Sequence, residues 1–177
     1  MAHKPAIFTI GHSTHPLEEF IAILKNHHIG YLVDVRTMPR SRTNPQFNKD
    51  TLPAPLKESG ISYKHIAALG GLRSKRKAAG GSPNGFWENQ SFRNYADYAM
   101  GEGFRAGLEE LQGIAARHVC AVMCAEAVWW RCHRRIIADY LLAQDYPVFH
   151  IMGADKADPA KLTPAARIME DGTLRYP

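Results

Sequence analysis

A strand–helix–strand pattern near the start of the chain is the strongest constraint on its fold. Ala6–Ile10 (AIFTI) and Tyr31–Val35 (YLVDV) are apolar runs of strand length. Between them, one apolar helix face recurs at i, i+3, i+4 and i+7: Leu17, Phe20, Ile21 and Leu24. Ser13 or Thr14 is placed to cap this helix, with Pro16 in its first turn. Two strands joined by a helix within about 30 residues pair in parallel through a right-handed crossover, which predicts an α/β fold.

Further segments extend this pattern along the chain. Additional strands are predicted at residues 61–66, 118–124 and 147–152. Helices are predicted at residues 51–58, 91–100 and 104–116, and from the end of the 118–124 strand to about Gln144. The turn-forming pair Asp171-Gly172 predicts a C-terminal hairpin between residues 167–169 and 173–176. We predict a single α/β domain over residues 1–177, with a mainly parallel sheet of about five strands flanked by helices.

Reactive side chains are concentrated in residues 118–135, HVCAVMCAEAVWWRCHRR. The strand in this segment ends at Cys124, and Glu126 and His133 follow. A helix N-terminus and neighbouring arginines both favour the thiolate form of a cysteine, and a carboxylate or imidazole can exchange its proton. We therefore predict Cys124, Glu126 and His133 as catalytic residues. The alternatives are a buried structural cysteine at 124 and an acid at 126 that only stabilises a helix start.

Polar residues also follow the first two strands. If the strands are parallel, their carboxyl ends share one edge, which is where α/β folds bind ligands. His12 and Ser13 follow the first strand, and Asp34 and Arg36 end the second. Asp34 and Arg36 are two residues apart and share a strand face, so that Asp34 orients Arg36 toward a substrate anion. We predict all four as substrate-binding residues, with a structural ion pair and, for Ser13, helix capping as alternatives.

Positive charge is concentrated in residues 36–77, where ten Lys or Arg face only two acidic residues in a chain of formal net charge +5. This pattern favours an anionic small molecule or a nucleic acid as partner, although a solvated basic surface has the same composition. Arg42 in this segment, together with Arg131 and Arg134, is predicted to hold the anion. Trp87 is the predicted base-stacking residue.

Two further interpretations depend on local structure. If the helix after the 118–124 strand begins near Arg131, three arginines crowd its positive end at a cost of ~0.3–1 kcal/mol per exposed residue, which indicates an anion site. If the helix begins at Ala125, that argument weakens. The glycine-rich stretch 67–90 is long for a connection in one domain and predicts either a lid over the site or a disordered segment.

The cysteines and histidines also allow other chemistries. Four side chains could in principle ligate zinc: His12, Cys124, Cys132 and His133. No CxxC is present and the spacing is unusual, so we predict no cofactor and keep zinc as a minor alternative. A phosphatase-like loop is not met, because the six residues between Cys124 and Arg131 include no glycine. A redox role for Cys124 and Cys132 stays open, whereas Cys120 is predicted to be a buried strand residue.

The composition also bears on location. No apolar run approaches the roughly 20 residues that cross a bilayer, and the N-terminus lacks the pattern of a signal peptide. The three cysteines fall in one short window, unlike the spread pairs of a secreted disulfide framework. We expect a cytoplasmic protein with no membrane partner. The sequence does not indicate an oligomeric state.

Over roughly residues 6–152 the chain resembles the bacterial and archaeal domain-of-unknown-function family 488. The resemblance rests on four motifs: TIGHS (9–13), DVR (34–36) followed by PRSR (39–42), the Leu69-Gly70-Gly71 turn, and CAE (124–126) followed by RCHRR (131–135). It implies an α/β domain in which these polar residues share a pocket, and it leaves residues 153–177 as a tail. It implies no particular reaction.

Three hypotheses for function follow. The leading one is an enzyme that acts on an anionic substrate (phosphorylated, nucleotide or nucleic acid) in a Cys/Glu/His/Arg pocket at the carboxyl ends of the strands. The second is a non-catalytic nucleic-acid-binding module that uses the basic segment 36–77. The third is a redox or metal-site protein that uses Cys124 and Cys132.

Overall fold

One sheet organises the computed structural model of the chain, which describes residues 3–75 and 80–177. Its strands are β1 (Ile7–Gly11), β2 (Tyr31–Asp34), β3 (Ser62–His65), β4 (Cys120–Cys124), β5 (Val148–Gly153) and β6 (Lys156–Pro159). They lie in the order β3-β2-β4-β1-β5-β6. The first five are parallel, and β6 pairs with β5 in the antiparallel sense. The predicted α/β fold with a mainly parallel sheet is confirmed.

Helices cover both faces of the sheet. They are α1 (Leu17–Asn26), α2 (Pro53–Glu58), α3 (Gln90–Ala99), α4 (Glu102–Ala115) and α5 (Arg134–Ala143). One apolar cluster packs α1 and α2 against residues such as Ala121 and Met123 of β4. The other packs α3, α4 and α5 against Val122 and Cys124 of the same strand. Because successive side chains of a strand point to opposite faces, β4 is apolar along its whole length.

Two helices begin later than the sequence pattern predicts. α1 starts at Leu17 with Pro16 as its N-cap residue and no side-chain cap, so the predicted capping by Ser13 or Thr14 is wrong. Ser13 instead turns the chain out of β1 in a left-handed conformation, with φ of 49°. α5 starts at Arg134, after a 3-10 turn at Trp129–Arg131. Both predicted starts, Ala125 and Arg131, are therefore wrong, and Cys124 does not lie at a helix N-terminus.

The C-terminal part combines a confirmed hairpin with a strand that the sequence did not indicate. β7 (Arg167–Ile168) pairs antiparallel with β8 (Leu174–Arg175), and Gly172 in the turn has a φ of 86°. The sequence of β6, KADP, is short, polar and ends in proline, so it carries no strand pattern of its own. Its edge position tolerates that composition, since an edge strand leaves one side unpaired.

The middle segment differs from the prediction for Trp87. Its side chain is buried and its ring stacks on Phe92, so the predicted base-stacking role of Trp87 is wrong. Part of the predicted lid is a 3-10 turn at Ala67–Leu69, while residues 76–79 lie outside the described part of the chain. Within the described ranges, no helix has the length and apolar character needed to cross a membrane.

Candidate functional site

The candidate site lies where the connections that follow two neighbouring strands lead to opposite faces of the sheet. β1 and β4 are neighbours, with Gly11 opposite Cys124. The chain leaves β1 toward α1 on one face and leaves β4 toward α5 on the other. This divergence opens a crevice beyond the carboxyl ends of the two strands, the usual ligand position in open α/β sheets. A cavity of about 660 Å³ occupies it.

Most of the residues predicted for the site meet in this cavity. Seven of them line it: His12, Ser13, Arg36, Cys124, Glu126, Arg131 and His133. Asp34, Arg42 and Arg134 do not line it. The sequence did not predict the other residues that line the cavity: Thr14, Thr37, Met38, Arg40, Ser41, Thr43, Asn44, Gly71, Leu72, Ser91, Phe92, Ala125 and Cys132. Arg40 belongs to the PRSR motif, which was the available signal, but nothing in that loop sequence distinguishes its orientation from that of Arg42.

Arg36 is held rigidly by its neighbours. Its Nε donates to Asp34 Oδ1 at 2.9 Å and one Nη2 hydrogen bond reaches Asp34 Oδ2 at 2.7 Å. Nη2 also donates to the carbonyl of Phe47 at 2.6 Å. The hydroxyl of Tyr63 donates to the same Asp34 carboxylate. A bidentate pair of this kind fixes the guanidinium plane, so Arg36 is an immobile cation in the cavity wall rather than an adaptable one.

His12 is neutral and its tautomer is set by its two partners. Nη1 of Arg36 donates to Nε2 of His12 at 3.2 Å, and Nδ1 of His12 donates to the carbonyl of Ser13 at 2.9 Å. Burial lowers the pKa of His12 to about 4. Both ring nitrogens are therefore engaged at neutral pH, which makes His12 a positioning residue for Arg36 rather than a proton-transfer group.

Two cysteines form the floor of the cavity. Cys124 ends β4 and Cys132 precedes α5, and the structure pairs their sulfur atoms as a disulfide with Cα atoms 7.3 Å apart. Both side chains are buried in the fold yet line the cavity. Cys120 is fully buried four residues before Cys124 in β4, as predicted, and burial raises its pKa to about 12.

Arg134 lies behind the floor and supports it. Its side chain is fully buried, and Nη1 donates to Cys124 Sγ at 3.2 Å and to the carbonyl of Glu126 at 3.0 Å. Nη2 reaches the carbonyl of Ala127 at 3.3 Å. Burial lowers the pKa of Arg134 to about 10, so the group keeps its charge at neutral pH. Arg134 does not line the cavity, so the structure does not support its predicted contact with a substrate anion.

His133 contacts the second cysteine. Nε2 of His133 donates to the carbonyl of Val35 at 2.8 Å, so Nδ1 of the neutral ring is an acceptor. Nδ1 lies 3.5 Å from Cys132 Sγ. Burial lowers the pKa of His133 to about 4. The imidazole predicted as partner of Cys124 is therefore placed against Cys132 instead.

Gly71 explains part of the Leu69-Gly70-Gly71 motif. A Cβ atom at Gly71 would lie 2.4 Å from Nδ1 of His133. The turn therefore approaches the imidazole more closely than any other residue would allow, and it closes that side of the cavity.

Charged side chains at the cavity mouth are more exposed to solvent than the buried Arg36 and Arg134. Arg40, Glu126 and Arg131 are exposed and line the cavity. None of the three forms an ion pair with another residue in the described ranges. Two cations and one carboxylate at an open mouth leave an excess of positive charge for an anionic ligand. Across residues 3–75 and 80–177, no group of three or more His, Cys, Asp or Glu side chains is arranged to hold a metal ion.

Buried histidines predict a specific loss of stability in acid. Burial lowers the pKa of His12 to about 4 and that of His150 to about 3, whereas imidazoles in an unfolded chain titrate near about 6.5. Below pH ~6.5 the unfolded chain therefore binds more protons, and the free energy of unfolding falls as pH is lowered toward ~4. We expect a loss of about 1–3 kcal/mol per imidazole, measured by urea unfolding across this window.

Substitution separates this effect from carboxylate titration. His150→Gln removes one titrating group and is expected to make the pH dependence shallower between pH ~6.5 and ~4. His118→Gln, at an exposed imidazole, should leave it unchanged. Equal slopes for wild type and His150→Gln would contradict the assignment.

Comparison with known proteins identifies the family. The sequence profile described as "Domain of unknown function DUF488" matches residues 16–141. The chain belongs to this family, as its motifs predicted. Neither the curated proteins nor the solved structures contain a match to it.

Proposed function

We propose that this protein is an enzyme that acts on an anionic substrate in the cavity beyond β1 and β4, with Cys124 as its nucleophile once the Cys124–Cys132 disulfide is reduced. The observation that carries the proposal is that Cys124 lines the cavity and that its sulfur lies 3.2 Å from Nη1 of the buried Arg134. A cation at that distance favours the thiolate, the nucleophilic form of cysteine. A buried structural cysteine has no need of such a partner.

The composition of the cavity supports a small anionic substrate. Its volume of about 660 Å³ falls within the range of small-molecule sites. Arg131 and Arg40 at the mouth supply exposed positive charge, and the hydroxyl-bearing residues Ser13, Thr37 and Ser41 line the walls as hydrogen-bond partners. Arg36 adds a fixed donor, the second N–H of Nη1, because Asp34, Phe47 and His12 hold its other N–H groups.

Proton transfer is assigned to groups that reach the cavity. Glu126 is exposed at the mouth, where its carboxylate is able to exchange protons with both substrate and solvent. His133 is assigned proton transfer with Cys132, because its Nδ1 lies 3.5 Å from Cys132 Sγ. These roles keep the three residues predicted as catalytic within one site, but they connect His133 to the second sulfur.

The basic segment gives less support to a non-catalytic nucleic-acid module. Arg36 is buried against Asp34, and Lys64 is paired with Glu110. Arg73 lies over the ring of Tyr98 and donates to two backbone carbonyls. Positive side chains of residues 36–75 are thus partly consumed within the fold. We treat binding of a nucleic-acid polymer as the competing outcome of the experiment.

Thermal stability in the presence of anions tests the proposal. The screen uses inorganic phosphate, mononucleotides, sugar phosphates and an oligonucleotide. A small phosphorylated anion at about one hundred times its Kd is expected to stabilise the fold by ~2.7 kcal/mol. Arg131→Ala should abolish most of this gain, while Cys124→Ser should retain it, because the serine keeps the cavity intact.

A matched control uses Lys57, which is exposed on α2 within the same basic segment but does not line the cavity. Lys57→Ala should bind the small anion as the wild type does. Stabilisation by the oligonucleotide alone, with a steep salt dependence and equal losses in Lys57→Ala and Arg131→Ala, would favour the nucleic-acid module.

A further inference from the structure

The second cysteine has a role that nucleophilic attack by Cys124 alone does not require. Cys132 lines the same cavity, and its sulfur faces that of Cys124. The backbone N–H of Arg134, the first residue of α5, points at Cys132 Sγ at 3.4 Å. A helix N-terminal amide and an imidazole acceptor together surround this sulfur. Each cysteine therefore has its own activating neighbours.

We infer that Cys124 and Cys132 form a dithiol that reduces a sulfur–sulfur bond in an anionic substrate and is left as the Cys124–Cys132 disulfide. The inference deepens the proposed function, and it rests on that proposal only for the anionic character of the substrate. It assigns the two cysteines different tasks. Cys124 attacks the substrate, and Cys132 attacks Cys124.

The order of attack follows from the charges around the sulfurs. Arg134 carries its positive charge at neutral pH and contacts Cys124 Sγ through Nη1. In the reduced protein, Cys124 is therefore the cysteine that this contact favours as a thiolate. Cys132 has a neutral imidazole as its neighbour, which accepts a proton but supplies no charge. Cys132 is accordingly a thiol at rest, and it loses its proton to Nδ1 of His133 as it attacks.

The reaction balances with substrate and protein alone. The Cys124 thiolate attacks one sulfur of a disulfide R–S–S–R, the substrate bond breaks, and the first RS⁻ leaves. A mixed disulfide between Cys124 and R forms. Cys132 then attacks Cys124 Sγ, the mixed disulfide breaks, and the second thiol leaves with the proton from Cys132. Two thiols are produced, the protein loses two electrons, and an external dithiol restores it by the same exchange.

The anionic aromatic disulfide DTNB tests this sequence with a coloured product. The reduced full-length protein is expected to release two nitrothiolates per chain and to end two mass units lighter, with no adduct. Cys132→Ser should release one nitrothiolate and keep the other as a mixed disulfide. Cys124→Ser should lose the fast phase. Cys120→Ala, at a buried thiol outside the cavity, should behave as the wild type does.

Two results would overturn the inference. One is a wild-type product that keeps an adduct on each cysteine, which would mean that Cys132 does not attack Cys124. The other is complete resolution of the adduct in Cys132→Ser. Circular dichroism and urea unfolding of each variant confirm that the fold is retained, and a variant that unfolds is replaced by the corresponding alanine substitution.

A neutral disulfide separates this inference from the proposed function. Arg131→Ala should slow the reaction with DTNB about tenfold, the scale of a lost charged hydrogen bond, and leave the reaction with neutral dipyridyl disulfide unchanged. If Arg131→Ala slows neither reagent but the adduct is still resolved, the anion site fails and the dithiol stands. If DTNB is slowed and adducts persist on both cysteines, the anion site stands and the dithiol fails.

Discussion

Replacement of Gly11 by alanine should unfold the protein or destabilise it by about 4 kcal/mol or more, an effect that few single substitutions reach. A Cβ at Gly11 would lie 1.6 Å from the carbonyl oxygen of Glu126 and 2.7 Å from Nη1 of Arg134. The first contact is with backbone, so a side-chain rotation cannot relieve it. The loop after β4 would have to move away from β1, which would also break the hydrogen bond from the His12 N–H to the Cys124 carbonyl.

Gly113 provides the matched control for this prediction. It is exposed in α4, and a Cβ there would meet nothing within 4 Å. Gly113→Ala should be neutral or stabilising by about 0.5–1 kcal/mol, because alanine favours the helix. Urea unfolding of both variants gives the comparison. Equal stabilities for Gly11→Ala and wild type would mean that the loop of residues 124–127 does not rest on Gly11.

Arg134→Met should reduce the reactivity of Cys124 by about 10- to 100-fold, because it removes the cation that lies 3.2 Å from the sulfur. The free energy of unfolding should change little in comparison with this loss of reactivity. Burial of an arginine without a carboxylate partner has a desolvation cost, seen in its pKa of about 10, and relief of that cost offsets the lost hydrogen bonds to two carbonyls. The measurement is the alkylation rate by iodoacetamide at neutral pH in a Cys132→Ser background.

Two further variants give this prediction its specificity. Arg134→Lys keeps the charge but cannot span both carbonyls, so it should retain part of the reactivity. Arg117→Met removes an exposed arginine two residues after the end of α4 and should leave the rate unchanged. A rate for Arg134→Met equal to that of wild type would show that Cys124 does not depend on the guanidinium.

Much of the fold could be predicted because each element carries a periodic signal of its own. The apolar runs of β1, β2 and β4 and the helical spacing of α1 and α4 are local patterns that parallel packing preserves. β6 had no such signal, since an edge strand of four polar residues owes its conformation to β5 rather than to its own composition. The late start of α5 had a similar cause, because Ala125–Trp130 has helical propensity but folds around Arg134.

The candidate site likewise has a part that the sequence predicts and a part that it does not. Strand ends could be placed on one edge from the sequence, and His12, Arg36 and Cys124 do meet there. The roles of Arg131 and Arg134 could not be separated from the sequence. The loop after β4 folds around Arg134 and buries it, whereas Arg131 stays exposed. Carbonyls that satisfy a buried guanidinium come from backbone geometry, which residue types do not encode. The contact of Gly71 with His133 joins residues far apart in the chain and was visible only as an unexplained motif.

The polar chain from Tyr63 through Asp34 and Arg36 to His12 links β3 at the sheet edge with β1, across the end of the intervening β4. Side chains coupled in this way do not respond independently to substitution. The double variant Tyr63→Phe with His12→Asn should therefore lose less stability than the two single losses combined. A substitution on the edge strand β3 is therefore transmitted to His12, which lines the same cavity as the two cysteines.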